Sequence, residues 1–105
     1  MTIIMIDFKS TWVNFAPTRG RKQRKSGSVT FSKPVQSANA AIKGLRIGYT
    51  NGDHHIYQLE TDIDMGSIEG AKVNFNVDFL LRDSSGLIDD PYNGWVEVLV
   101  IADLE

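Results

Sequence analysis

The sequence predicts an all-β protein, a small antiparallel β-sandwich of about six to seven strands that forms one domain over residues 1–105. Three observations support this fold class. Apolar and polar residues alternate in several runs, and clusters of Gly, Pro, Asn, Asp and Ser separate these runs. No segment keeps the i, i+3, i+4, i+7 apolar spacing of an amphipathic helix for three turns. At 105 residues, the chain is long enough for one hydrophobic core.

The N-terminal third contains three short predicted strands, at residues 3–8, 12–15 and 28–31. Pro34 follows the third strand, where a residue without an N–H cannot continue a ladder. Residues 16–27 combine Lys and Arg with Gly, Ser, Thr and Gln. We therefore predict that this segment is a long, mobile, basic surface loop.

The middle of the chain predicts a β-hairpin. Residues 41–50 and 56–63 alternate apolar and polar side chains, and Asn51-Gly52 between them is a strong two-residue turn signal. Residues 37–43 are predicted to form one helical turn at most. The hairpin is the best-defined local feature of this half of the chain.

Two strands of the C-terminal half have the clearest patterns. The first has one apolar face, formed by Val73, Phe75, Val77, Phe79 and Leu81. This pattern predicts a half-buried strand. Residues 95–104 are apolar on both faces, which predicts a central strand covered on both sides by the core or by another subunit.

Charge is divided unevenly along the chain, although the net charge is only −2. Residues 1–52 hold nine of the eleven Lys and Arg and one acid, a charge of +8. Residues 53–105 hold two basic and twelve acidic residues, a charge of −10. We interpret this split as complementarity between the subunits of a homo-oligomer.

Composition excludes several classes of protein. The chain has no cysteine, which excludes disulfide scaffolds, thiolate zinc sites and cysteine nucleophiles. No apolar run approaches the roughly 20 residues of a membrane-spanning helix. The N-terminus lacks the basic segment and the apolar length of a signal peptide. We expect a soluble, cytoplasmic chain with no membrane partner, although a lack of cysteine is compatible with any compartment.

A run of basic residues is a candidate polyanion-binding segment. Five cations fall within seven residues: Arg19, Arg21, Lys22, Arg24 and Lys25. Such a run attracts phosphates, sulfated sugars or an acidic protein surface. The nearby aromatic residues have the spacing of core residues in strands rather than of a stacking platform. A solvated segment is therefore the favoured interpretation, and nucleic acid is not the expected partner.

Two groups of residues resemble metal ligands in type. Neighbouring residues on a strand point to opposite faces, so His54 and His55 cannot share one ion. One of them, near Asp53, could ligate a metal or bond a sugar hydroxyl, but no third ligand is evident and a polar hairpin end is the simpler interpretation. Four acids could form a calcium site: Asp62, Asp64, Asp89 and Asp90. The other interpretation is that these acids favour turns and keep the surface soluble. We predict no metal and no cofactor.

Catalytic motifs are absent from the sequence. It contains no G-x-S-x-G, no H-E-x-x-H and no glycine loop for phosphate. We therefore expect a non-enzymatic protein.

A resemblance to a known family rests on residues 28–34, SVTFSKP, an apolar–Thr–Phe strand followed by Pro. An apolar strand at 42–49, a strand pair that includes 73–81, and a closing strand at 95–102 follow in the same order. In this pattern, residues 28–104 resemble an H-type lectin domain. The family consists of six-stranded antiparallel β-sandwiches that form trimers or hexamers and bind N-acetylgalactosamine or related sugars between subunits. The resemblance implies that fold, a homo-oligomer of that size and a carbohydrate ligand.

The resemblance also indicates where a sugar would bind. The family's contact loop at the end of the penultimate strand matches residues 81–84, LRDS, in which the stacking aromatic of the family is missing. An arginine that the family places in the strand after the hairpin is also missing. Guanidinium and carboxylate groups bind paired hydroxyls bidentately. We predict a ligand-binding site formed by Arg82, Asp83, Asp53, His54 and Tyr92.

The sequence therefore predicts a non-enzymatic, lectin-like, carbohydrate-binding module that works as a homo-oligomer. Two alternatives remain open. In one, the same sandwich is a structural or assembly protein without a sugar site. In the other, the basic run from Arg19 to Lys25 binds a polyanion.

Overall fold

The computed structural model describes residues 5–52, 54–85, 88 and 90–105. Six antiparallel β-strands form two three-stranded sheets that pack face to face, which confirms the predicted β-sandwich. The strands are β1 (Met5–Thr18), β2 (Gln23–Thr30), β3 (Val35–Tyr49), β4 (Ile56–Glu69), β5 (Lys72–Asp83) and β6 (Tyr92–Leu104). Sheet I has the order β1-β6-β3, and sheet II has the order β2-β5-β4.

The two clearest sequence patterns form the two central strands. β5 is the middle strand of sheet II and β6 is the middle strand of sheet I. Their inward side chains are fully or almost fully buried and make up most of the core: Val73, Phe75, Val77, Phe79, Leu81, Val96, Val98, Val100 and Ala102. Period-two alternation thus placed the core of both strands correctly, because a central strand must present one face to the opposite sheet.

The predicted hairpin between residues 41–50 and 56–63 is wrong. β3 belongs to sheet I and β4 to sheet II, so residues 50–55 cross from one sheet to the other. Gly52 does adopt a positive φ of 110°, as the turn signal requires. The hairpin partner of β4 is β5, joined to it at Gly70, which has a φ of 62°.

The predicted loop over residues 16–27 is also wrong in extent. β1 continues to Thr18 and β2 begins at Gln23, so only four residues separate the two strands. The two basic residues of β2 are compatible with a strand, because Arg24 extends over the neighbouring strands of sheet II and Lys25 reaches the Asn14 carbonyl of β1. Residues 37–43 form no helical turn either. They belong to β3, and Ala38 and Ala40 pack on the core.

The second face of β6 forms part of an apolar outer surface of sheet I. Phe8 is 68% exposed and lies directly opposite Ile101, which is 46% exposed. Leu99 and Trp95 point to the same side and are half-buried, and Trp12 is exposed there. Sheet II covers the inner face of β6, whereas no described residue of this chain forms a layer over the outer one. We call this surface the outer face of sheet I.

The sandwich is also open along the side where β3 and β4 face each other. Five apolar side chains lie in register with core residues and are still 37–43% exposed: Ile42, Leu45, Leu59, Met65 and Ile68. On the opposite side, Val13 and Phe15 of β1 and Val29 of β2 are buried. The core is therefore closed along β1 and β2 and incompletely closed along β3 and β4.

The molecule is long and narrow, with principal extents of 59 × 18 × 17 Å. Met5 pairs with Leu104 at one end, where Val35 and Gly70 also meet. At the other end, Thr50 donates a backbone hydrogen bond to Pro91. We call this second end the distal end. No helix among the described residues has the length and apolar character needed to span a membrane.

Candidate functional site

The distal end brings together polar side chains from three separate segments. Asn51 and His54 come from the β3–β4 connection, Asp83 is the last residue of β5, and Asp90 lies in the β5–β6 connection. The Asn51 amide donates to Asp90 Oδ1 at 2.9 Å, and His54 Nε2 lies 2.9 Å from Asn51 Oδ1. We call these four residues and Ser85 the distal polar cluster. Its members become neighbours only when the two sheets pack.

Asp83 is the buried member of the cluster, with 8% of its surface exposed. Its Oδ1 accepts hydrogen bonds from the Ser85 hydroxyl and from the Ser85 backbone N–H, the latter at 3.0 Å. The pKa of Asp83 lies below its ordinary value, chiefly because its carboxylate accepts a hydrogen bond from the Ser85 hydroxyl. A hydrogen bond with Asp90 and the nearby His54 also lower this pKa, and burial opposes them. Asp83 is thus an ionised carboxylate at neutral pH, held in one orientation.

His54 lies above both carboxylates of the cluster. Its Nδ1 is 3.6 Å from Asp90 Oδ2 and 3.8 Å from Asp83 Oδ2. The Tyr49 ring packs edge-on against the imidazole, with 4.7 Å between the ring centroids. The ring of His54 is therefore positioned by an aromatic contact and by Asn51, and its Nδ1 side faces the two acids.

Arg82 lies next to Asp83 along β5 but points to the outer face of sheet II. Its Nη2 donates to Gln58 Oε1, and its guanidinium lies 5.8 Å from the centroid of the Tyr57 ring. Tyr57 is 67% exposed. A guanidinium beside an exposed aromatic ring can offer hydrogen bonds and a flat apolar surface to the same ligand.

The structure groups some of the predicted ligand-binding residues and separates others. His54 and Asp83 lie together, with Arg82 next along the strand. Tyr92 is fully buried, and its hydroxyl lies 2.8 Å from the Arg21 carbonyl and 3.0 Å from the Phe79 carbonyl. Burial also raises its pKa. Tyr92 therefore belongs to the core and offers no platform to a ligand. Asp53 lies outside the described residues.

Two of the five cations of the basic run pair with acids of their own chain. Lys22 Nζ lies 2.9 Å from Glu60 Oε1, and Arg24 Nη1 lies 2.9 Å from Asp64 Oδ2 and from both oxygens of Asp78. These hydrogen bonds raise the pKa values of both basic groups. Opposite charges of the two chain halves thus meet within one molecule, on the outer face of sheet II. Complementarity between subunits is not needed to explain the charge split.

Arg24 also binds two of the three acids of one candidate cation site. Asp62, Asp64 and Asp78 have carboxylate oxygens within 4.8 Å of one another. Asp62 and Asp64 share a strand face. The Arg24 guanidinium already bonds Asp64 and Asp78, so the calcium alternative is weakened there. Of the other two acids considered for calcium, Asp89 lies outside the described residues and Asp90 belongs to the distal polar cluster.

A cleft between β1 and β2 is the remaining feature of the basic segment. Its volume is about 440 Å³, and it is lined by Asn14, Phe15, Ala16, Arg21, Lys22, Gln23, Arg24 and Lys25. Lys25 donates to the Asn14 carbonyl at 2.6 Å. Of the five cations of the polyanion alternative, three already have side-chain partners within the chain: Lys22, Arg24 and Lys25.

Asn51 and Ser85 were not predicted as site residues, and Asp90 was considered only as a calcium ligand together with other acids. The sequence pattern does not show that Asn51 and Asp90 lie close to His54, because the three residues come from two different connections. Ser85 had a local signal, since a serine two residues after an aspartate commonly bonds its carboxylate. Comparison with models of known families, with curated proteins and with solved structures finds no match to this chain.

Proposed function

We propose that this chain is a non-enzymatic carbohydrate-binding module that works as a homo-oligomer, with its sugar at the distal end. The observation that carries this proposal is the convergence of Asn51, His54, Asp83 and Asp90 at the distal end. At the same end, Arg82 points to the outer face of sheet II, and its guanidinium lies near the exposed Tyr57 ring. The proposal agrees with the resemblance to H-type lectins, in which the matching segment contacts the sugar.

The chemistry of these groups suits a polyhydroxylated ligand. Carboxylates and amides bind hydroxyl groups with defined geometry, and binding sites add an apolar surface to a few polar groups placed in this way. Tyr57 provides the flat surface, a role that the buried Tyr92 cannot play. Because Asp83 is already held by Ser85, little entropy is lost when it bonds a ligand.

A glycan array probed with the whole chain tests the proposal. We expect binding to a restricted set of sugars, and we expect Arg82→Ala and Tyr57→Ala to weaken the best interaction by about tenfold or more. Arg46→Ala is the matched control, since Arg46 is an exposed arginine of β3 in sheet I. No signal at high protein concentration, or equal binding by all variants, would contradict the proposal.

Assembly without a ligand is a second candidate function, favoured by the outer face of sheet I. Phe8, Leu99 and Ile101 form a contiguous apolar surface beside a groove of about 550 Å³. Soluble monomers rarely leave such a patch uncovered. A second copy of the chain is the occupant that we propose, because a two-fold contact would bury the same apolar residues of both copies against each other.

Sedimentation at micromolar concentration tests assembly. We expect the wild-type chain to be oligomeric and Ile101→Asp to be monomeric and folded, because a carboxylate at the centre of the buried face must lose its hydration. Ile56→Asp is the control, since Ile56 is 59% exposed at the distal end. A monomeric wild-type chain would refute assembly through this face.

A further inference from the structure

Three potential metal ligands of the distal polar cluster face a common point. His54 Nδ1 and one carboxylate oxygen from each of Asp83 and Asp90 lie within 4.8 Å of one another. The three residues come from the β3–β4 connection, the end of β5 and the β5–β6 connection. They combine one nitrogen and two oxygen donors, so the group is chemically different from a purely acidic cluster.

The orientation of the His54 ring determines what its Nδ1 can do. His54 Nε2 lies 2.9 Å from Asn51 Oδ1, and a carbonyl oxygen can only accept a hydrogen bond. The Asn51 amide nitrogen is used by Asp90, which fixes which atom of Asn51 faces the ring. Nε2 therefore carries a proton, and Nδ1 is the ring nitrogen that faces the two acids. Metal-binding histidines are usually held in this way, by a second hydrogen bond to an oxygen.

The distances around Nδ1 fit an ion better than a hydrogen bond. Nδ1 is 3.6 Å from Asp90 Oδ2 and 3.8 Å from Asp83 Oδ2. A charged N–H···O bond is shorter, about 2.7–2.9 Å. Two ligand atoms that bind the same Zn²⁺, each about 2.0–2.1 Å from it, lie about 3.3 Å apart in a tetrahedral site. Closure by a few tenths of an ångström would bring all three groups into coordination distance.

The other cluster of acids in the molecule has a positively charged side chain beside its carboxylates. Around Asp64 and Asp78, the Arg24 guanidinium provides the positive charge, at 2.9 Å. In the distal polar cluster, the ion pairs that Asp83 and Asp90 form within the described part of the chain are with His54, at the longer distances given above. His54 Nδ1 is thus the group that faces these two carboxylates, as the Arg24 guanidinium faces Asp64 and Asp78.

We propose that His54 Nδ1, Asp83 and Asp90 bind a divalent transition-metal ion of the type of Zn²⁺. An imidazole donor favours Zn²⁺ over Ca²⁺, which prefers six to eight oxygen ligands. Asn51 is a positioning residue that holds the ring, and a three-ligand set leaves further coordination positions to water or to a ligand hydroxyl. The site does not depend on the proposed sugar-binding function, because metal binding is measured in the absence of any sugar.

Titration calorimetry of the whole, tag-free chain with ZnCl₂ tests the site, with CaCl₂ as a second probe. We expect one Zn²⁺ per chain and much weaker Ca²⁺ binding. His54→Ala and Asp90→Asn should each weaken Zn²⁺ binding by more than about tenfold, and Asn51→Ala by about 10–100-fold. His55→Ala is the matched control and should bind as the wild type does. The circular dichroism spectrum of each variant establishes that it is folded.

Nuclear magnetic resonance of the metal-free protein gives an independent readout. A long-range ¹H–¹⁵N correlation spectrum should show the Nε2–H tautomer of His54, and added Zn²⁺ should shift its Nδ1 resonance. The proposal fails if His54→Ala binds Zn²⁺ like the wild type, if Ca²⁺ binds more tightly than Zn²⁺, or if the neutral ring carries its proton on Nδ1.

Discussion

Replacing Gly94 by alanine is expected to prevent folding or to lower the free energy of unfolding by at least about 3 kcal/mol. A Cβ atom at this position would overlap the Arg46 carbonyl oxygen and would lie 2.7 Å from the Arg46 carbonyl carbon. Both atoms belong to the backbone of β3, so relief requires β3 and β6 to separate where they pair. Gly94 also has a φ of 156°, which side chains of L-residues rarely adopt.

Urea unfolding followed by circular dichroism measures this effect. Gly48→Ala is the control, because a Cβ at Gly48, in the same pair of strands, would meet nothing within 4 Å. We expect that control to change stability by no more than about 1 kcal/mol, in the stabilising direction. Equal stability of the two variants would mean that β3 and β6 are not paired in this register.

Replacing Val98 by aspartate is expected to unfold the chain. Val98 is fully buried in the middle of β6, between the two sheets. An unpaired carboxylate there costs about 3–5 kcal/mol or more, against a total stability of about 5–15 kcal/mol for a typical domain. The expected result is a spectrum without β-structure, or a protein recovered only as aggregate.

Ile101→Asp separates burial in the core from burial in an assembly. Ile101 lies three residues further along the same strand, on the outer face of sheet I. The Ile101→Asp variant should keep the wild-type circular dichroism spectrum in dilute solution. If Ile101→Asp unfolded as completely as Val98→Asp, the outer face would be part of the folding core and not a surface for association.

Sequence alternation predicted the core more successfully than it predicted strand partners. The patterns of β5 and β6 identify the residues that face inward, because each strand reports its own buried face. They carry no information on which strand lies beside it, and so Asn51-Gly52 was interpreted as a hairpin turn although it connects two sheets. The strand character of β2 was hidden for the same reason, since Arg24 pairs with Asp64 of β4 and Asp78 of β5, which are 40 and 54 residues away along the chain.

The site shows the same division between local and distant information. Asp83 was predicted from the resemblance at residues 81–84 and His54 from its residue type beside a turn, but their neighbours Asn51 and Asp90 come from connections that meet only after packing. Tyr92 is different, because its position was predictable. It has the same parity as Val96 and Val98 along β6, and period two therefore places its ring in the core. Tyr92, which was predicted to contact a ligand, is a core residue, whereas the exposed aromatic ring near Arg82 is that of Tyr57.

The arrangement of chain ends has a practical consequence for every binding measurement proposed above. Met5 and Leu104 pair at the end of the sandwich opposite to Asn51, His54 and Asp83, and the long axis of the molecule is 59 Å. A sensor surface that captures the protein by a tag on either terminus would hold each copy upright, with the distal end facing the flowing analyte. Dense capture would then place many such ends side by side. Measuring binding at several capture densities would separate the affinity of one copy from the avidity of several.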